Sequence, residues 1–150
     1  MAKKTLLTRD AIMEARDIPE EIVPVPEWGG SVRVVGMTAK ERGEYESAFM
    51  MEVKGRRGEP ELKRNRAAIK QVRERLVVHT VVDENGNRLF TDEDVAALSK
   101  KSAAAMERIV TVAQRLSGLT ESDIEELEKN FATTDAEDSA SVSPSHSDEQ

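Results

Sequence analysis

The sequence predicts an α+β domain, predominantly α-helical, and three observations carry that reading. From Leu89 to Phe131 apolar residues recur at helical spacing between matching start and stop signals. Two other stretches carry hairpin signals. Aromatic residues make up only 3% of the 150, so Leu, Val, Ile, Met and Ala must do most of the packing. The length suits one domain with a modest core. The pattern stops at Phe131: between Ala132 and Gln150 the only apolar residues are three alanines and Val142. The chain therefore divides into a flexible N-terminus (1–7), a single α+β domain (8–131) and a disordered acidic tail (132–150), with an N-terminal β-hairpin, a second short hairpin near residues 80–90 and about five helices.

The elements follow in order. Thr8 caps a short helix through Ala11, Ile12 and Ala15, which Pro19 ends because the residue before a proline avoids the α region. Ile22, Val23 and Val25 then mark a strand, Gly29-Gly30 a turn, and the alternation Val32, Arg33, Val34 a returning half-buried strand. Pro24 and Pro26 each remove a ladder donor, which puts the first strand at an edge. Thr38-Ala-Lys-Glu41 is a capping box, opening a helix that carries Tyr45, Ala48, Phe49 and Glu52, with Met50-Met51 on its last turn. Gly43 inside it, a costly residue in a helix, points to close packing there.

Pro60 suits the first turn of a helix in which Leu62, Ile69, Val72 and Leu76 form an apolar stripe and Lys63, Arg66, Lys70 and Arg73 a cationic one beside it. Val77 to Val82 is β-branched, and Asn85-Gly86 is a strong turn signal, so a second hairpin is expected over Thr80 to Phe90. Thr91, then Ser99 or Ser102, then Thr120 cap three further helices. The first faces Val95 and Leu98 inward. The second buries Met106, Ile109, Val110, Ala113 and Leu116 up to Gly118, and the last buries Ile124, Leu127 and Phe131.

Charge is segregated along the chain. The net value is −7, but the last nineteen residues hold five acids (Asp135, Glu137, Asp138, Asp148, Glu149) and no Lys or Arg. Lys54 to Arg75 holds nine basic residues against three acidic ones. Such runs are commonly solvated faces; the alternative is a contact site for an acidic partner.

The chemistry is mostly an absence. No cysteine is present, so there is no disulfide framework, thiolate site or cysteine nucleophile. The two histidines are His79, beside a β-branched run and read as structural, and His146 in the tail. Asp83-Glu-Asn-Gly-Asn87 lacks the spacing and terminal Glu of a calcium loop, and the glycine pairs do not make a phosphate loop. The reading assigns no catalytic residues, no metal and no cofactor, and it does not point to an enzyme. Nowhere do eighteen apolar residues run together, so no membrane partner is expected. The basic stripe could neutralise phosphates, but it lacks stacking aromatics and the chain as a whole is acidic, which disfavours nucleic acid.

Three strings carry a resemblance. They are Val25-Pro-Glu-Trp-Gly-Gly30 with Val32-Arg-Val and Gly36-Met-Thr-Ala-Lys-Glu-Arg42; Val81-Val-Asp-Glu-Asn-Gly-Asn-Arg-Leu-Phe-Thr-Asp-Glu-Asp-Val-Ala-Ala-Leu98; and Ala113-Gln-Arg-Leu-Ser-Gly-Leu-Thr-Glu-Ser-Asp-Ile-Glu-Glu-Leu-Glu-Lys-Asn130. In order and spacing they resemble tail assembly chaperones of long-tailed bacteriophages and prophages, over most of residues 8–131. The resemblance implies a non-enzymatic role in the host bacterial cytoplasm: binding the tape measure protein, keeping it soluble and helping recruit tail-tube protein, without remaining in the mature virion. It also implies a longer frameshift product of the same gene, sharing the module through Asn130, and a homo-oligomer is a further expected partner. The alternative is a structural minor tail or connector protein of the virion.

A coat for a long helix needs many adaptable apolar contacts. The faces around Tyr45, Phe49 and Met50, and around Met106, Ile109 and Val110, are therefore candidate partner-binding surfaces if partly exposed, together with Lys63, Arg66, Lys70 and Arg73 for acidic contacts. For each apolar one the competing role is the domain's own core.

Overall fold

A computed structural model describes residues 5–126 and 128. The expectations that fall on Leu127, Phe131 and the 132–150 tail lie outside the described residues. The fold is α+β, built on a three-stranded antiparallel sheet in the order β1-β2-β5. Helices pack on one face of that sheet, and a separate two-stranded ribbon lies apart from it.

Helix α1 (Arg9–Glu14) starts where Thr8 accepts a hydrogen bond from the Ala11 amide, and none of its residues is buried. Strand β1 (Glu20–Val25) pairs with β2 (Gly30–Val35), Val25 opposite Gly30 and Glu20 opposite Val35, across a 3-10 turn over Pro26–Trp28. Gly29 closes that turn at φ 77°, a conformation in which any side chain would be strained. β1 is an edge strand, as its prolines require. Val23, Val25 and Val34 point into the core.

Thr38 caps α2 (Ala39–Ser47) with both bonds of the capping box in place. The helix is shorter than the sequence suggests. Met50 and Met51 lie not on its last turn but on strand β3 (Met50–Lys54), which pairs with β4 (Pro60–Arg64). The helix expected from Pro60 therefore begins only after Asn65, whose side chain accepts from the Ala68 amide to cap α3 (Arg66–Lys70). Asn65 also donates its own amide to the Phe49 carbonyl, so one residue ends the ladder and starts the helix. The hairpin turn is closed by Gly58 at φ +77°, whose amide donates to the Gly55 carbonyl.

Gln71, at φ −106° and ψ 22°, separates α3 from α4 (Val72–Thr80). The single apolar and cationic stripes expected along residues 60–76 thus do not exist as stripes of one helix. Helix α4 also runs further into the β-branched segment than expected, leaving only Val81–Val82 as β5. Burial overrides propensity here, since Leu76, Val77, Val78 and Val81 are fully buried and Thr80 satisfies its hydroxyl by donating to the Leu76 carbonyl at 2.7 Å. The second hairpin survives as a tight turn, with Gly86 at φ +82°, Asp83 accepting from the amides of Asn85 and Asn87, and one bridge between Val82 and Arg88.

Thr91 caps a 3-10 turn (Asp92–Asp94) that runs into α5 (Val95–Leu98), and Ser102 caps α6 (Ala103–Leu116). At the end of α6 the Leu119 amide donates to the Gln114 carbonyl and the Gly118 amide to that of Arg115, a Schellman closure with Gly118 at φ 70°. Helix α7, seen over residues 121–126 and again at 128, is capped by Thr120 and buries Ile124.

Helix α6 is the spine of the core: it packs on α4, β1 and β2 and buries Ala105, Met106, Ile109, Val110 and Ala113. Two ion pairs pin it to the β1–β2 hairpin, Arg108 to Glu27 in the connecting turn through two bonds of 2.8 and 3.0 Å and Arg115 to Glu21 on β1 at 2.6 Å. Gly43 has open space around it, contrary to the close packing expected there. The tight glycine is Gly36, which abuts the last turn of α6.

Candidate functional site

The helix–ribbon junction leaves a concavity of about 410 Å³ between α2, the root of the β3–β4 ribbon, α3 and α7. Tyr45, Phe49, Met50, Ile69, Leu119 and Ile124 give it an apolar lining, with Arg42, Glu46, Arg64, Asp123 and Glu126 as its charged members. Each part has a local cause. Tyr45 and Phe49 stand four apart across the last turn of α2 and its exit, so their rings meet edge to face at 4.9 Å. The Tyr45 hydroxyl donates to the Val72 carbonyl at 3.0 Å, tying α2 to α4, and burial raises its pKa above the ordinary phenol value. Leu119 is delivered by the Schellman turn and Ile124 by the Thr120 cap. Asp123 accepts from the Thr120 amide at 2.8 Å, and that bond lowers its pKa, so the carboxylate stays charged at the edge of the groove.

The sequence-derived candidates divide between this groove and the interior. Tyr45, Phe49 and Met50 come together here, but only Met50 is substantially exposed, at 42%; the two rings reach the groove from the core. Met106, Ile109 and Val110 are core residues of α6, at 7%, 0% and 0% exposure, so that face is not open to a partner in this conformation. The four basic candidates are dispersed: Lys63 on β4, Arg66 and Lys70 on α3, Arg73 on α4. Lys63, Arg66 and Lys70 are exposed. Arg73 instead reaches Glu128 at 2.7 Å, Glu121 at 3.3 Å and Glu107 at 3.5 Å, locking α4 to α6 and α7. Sequence reading missed that role because its partners lie more than thirty residues away. Ile69, Leu119 and Ile124 carry a partial signal as core-facing positions, but nothing local shows that they meet.

His79 is structural. It is 7% exposed, stacks edge-on against Tyr45 at 5.7 Å, and its Nδ1 lies 2.6 Å from the Arg88 guanidinium. Arginine can only donate, so Nδ1 accepts and the neutral ring carries its proton on Nε2. Burial first, and Arg88 second, push its pKa below 6.5. Among the described residues no three His, Asp or Glu side chains cluster in a way that could hold a metal ion. Among the same residues no helix is long and apolar enough to cross a membrane.

Residues 7–137 match the family model for phage tail assembly chaperones. The chain belongs to the phage tail assembly chaperone family. Among solved structures it is similar to the tail assembly chaperone of bacteriophage HK97, at 12% sequence identity and a TM-score of 0.48, over 75% of this chain and 95% of the other. No curated protein matches it significantly. As a family member the chain is a tail assembly chaperone.

Proposed function

We propose that this chaperone is a non-enzymatic factor that binds segments of the tape measure protein, keeps that long helical chain soluble in the host cytoplasm and helps recruit tail-tube subunits to it. It leaves before the particle is complete. A longer frameshifted product of the same gene shares its ordered module. The observation that carries the reading is the groove around Tyr45, Phe49 and Met50, with its apolar floor and charges of both signs at its edge. Such a surface accepts the apolar face of an amphipathic helix while its edge engages the helix's polar flanks. A methionine at the mouth suits a client with many similar but non-identical segments, because an unbranched thioether re-packs at little cost.

Co-expression with the neighbouring tape measure gene tests this. The expected result is soluble tape measure protein that co-purifies with the chaperone, and mass spectrometry of finished particles that finds the chaperone absent. Tape measure protein that is equally soluble without the chaperone overturns the client assignment. Stoichiometric copies in mature tails would instead identify a virion component.

A further inference from the structure

On the reading of the groove as the client site, we propose that Arg73 is its positioning residue: it holds α7 in place as a separately releasable wall, and so sets whether the apolar site is formed. Helix α7 supplies Asp123, Ile124 and Glu126 to the concavity, and Leu119 just before it adds a fourth lining residue beside Tyr45, Phe49 and Met50. Arg73 is not among the lining side chains, and neither is any other residue of α4. Whatever α4 does for the groove it does through its neighbours.

Apolar contact holds this wall only lightly. Among the described residues of α7, Ile124 alone is buried, at 1% exposure. From Thr120 to Glu128 the sequence carries Glu121, Asp123, Glu125, Glu126 and Glu128 and no Lys or Arg. An acidic helix of this kind relies on cations from the elements that it packs against. Arg73 on α4 reaches Glu128 at 2.7 Å and Glu121 at 3.3 Å, and the charge of Arg42 on α2 acts on Asp123.

The same guanidinium also reaches Glu107 on α6, at 3.5 Å, so one positive charge stands among three negative ones on two helices. Partly exposed ion pairs are individually weak. Sharing the cation makes its removal count for more, because Glu107 is then left to repel Glu121 and Glu128 and the force on α7 changes sign. The residue before Arg73 acts on the other side of the site, since the Val72 carbonyl accepts the Tyr45 hydroxyl at 3.0 Å. Two consecutive residues at the start of α4 thus fix the floor of the groove and its wall. Loss of the Arg73 contacts lets α7 part from the body while the α4–α6 core stays folded, the behaviour of a local low-stability unit.

Hydrogen exchange of the full-length chain, followed amide by amide by NMR, tests this, with the Ile109 and Val110 amides of α6 reporting on the core. At about 25 mM NaCl, Arg73→Met should lower the protection of the Ile124, Glu125 and Glu126 amides about tenfold and leave the α6 amides near their parental rates. Arg73→Lys should keep part of that protection, because an ammonium retains the charge but not the fork that spans several carboxylates. Raising the salt to about 0.5 M should reduce α7 protection in the parent and increase it in Arg73→Met, since attraction is screened in one and repulsion in the other. A salt response of the same sign in both chains, unchanged α7 protection in Arg73→Met, or α6 amides that lose as much as those of α7 would each overturn the proposal. Pull-down of the co-expressed tape measure protein supplies the binding arm: Arg73→Met should bind about tenfold more weakly although every lining side chain is intact. Parental affinity in that variant, with α7 released, overturns the positioning role. A parent chain that binds no tape measure protein removes the client assignment instead, and the exchange rates then decide alone whether Arg73 holds the wall.

Discussion

Gly36 stands so close to the last turn of α6 that a Cβ placed on it would lie 2.4 Å from the carbonyl oxygen of Leu116. The obstacle is backbone, which cannot swing aside, and the next residue donates its amide to Ser117 Oγ at 3.1 Å, holding the junction shut. Gly36→Ala should therefore destabilise the domain by about 1–3 kcal/mol, as overpacking does. Gly43→Ala is the internal control: it lies mid-helix with nothing within 4 Å of its added methyl, so it should stabilise by about 0.5–1 kcal/mol. Chemical denaturation of the two variants checks both signs.

Acid should loosen the clamp between Glu27 and Arg108. The bond to Arg108 holds the Glu27 carboxyl at about 2 against an ordinary 4.5, so the unfolded chain takes up the proton first. The pair's stabilisation is full above pH 4.5 and is lost as pH falls towards 2. Arg108→Met should lie below the parent in stability at pH 7, and the gap should narrow between pH 4.5 and 2. A gap that does not change with pH would contradict the assignment.

His79 adds a second acid-sensitive term at higher pH. Its neutral ring faces Arg88 and Tyr45, with Asp92, Glu44 and Glu41 as the nearby carboxylates that oppose the downward shift. Because its folded pKa is depressed below 6.5, its contribution is intact above that pH and declines as pH falls below it. Proton NMR of the ring should show titration below 6.5; a midpoint at or above that value would mean that the ring is not held neutral by this environment.

Met50 and Met51 offer a paired test of the groove. Adjacent residues on a strand point to opposite faces, and only Met50 lines the concavity, although the two are similarly exposed at 42% and 45%. On the function proposed above, Met50→Asp should weaken binding of the tape measure protein about tenfold or more, roughly 1.4 kcal/mol, while Met51→Asp leaves it near the parent value. Both should remain within about 1 kcal/mol of parental stability. Pull-down titration against the co-expressed client reads the difference, and equal losses would remove the groove from the binding surface.

Much of this architecture is legible from the chain because its determinants are local. The caps at Thr8, Thr38, Ser102 and Thr120 act within three residues, and Gly118 closes α6 through bonds to residues just before it. The β1–β2 hairpin is legible because one of its faces is buried and so alternates. The β3–β4 ribbon is not: nearly all its residues are exposed, so no apolar period distinguishes a strand at Pro60–Arg64 from a helix. The groove lies between these cases. Tyr45 and Phe49 announce themselves by helical spacing, whereas Ile69, Leu119 and Ile124 join them only through the tertiary fold.

Pro24 sits mid-strand on the outer rim of the sheet, opposite Ser31, with no amide to offer an incoming strand. Edge strands invite further pairing. That single imino acid makes the rim a poor template for β-addition. The sheet can hold the core in place without offering its outer strand to a passing one.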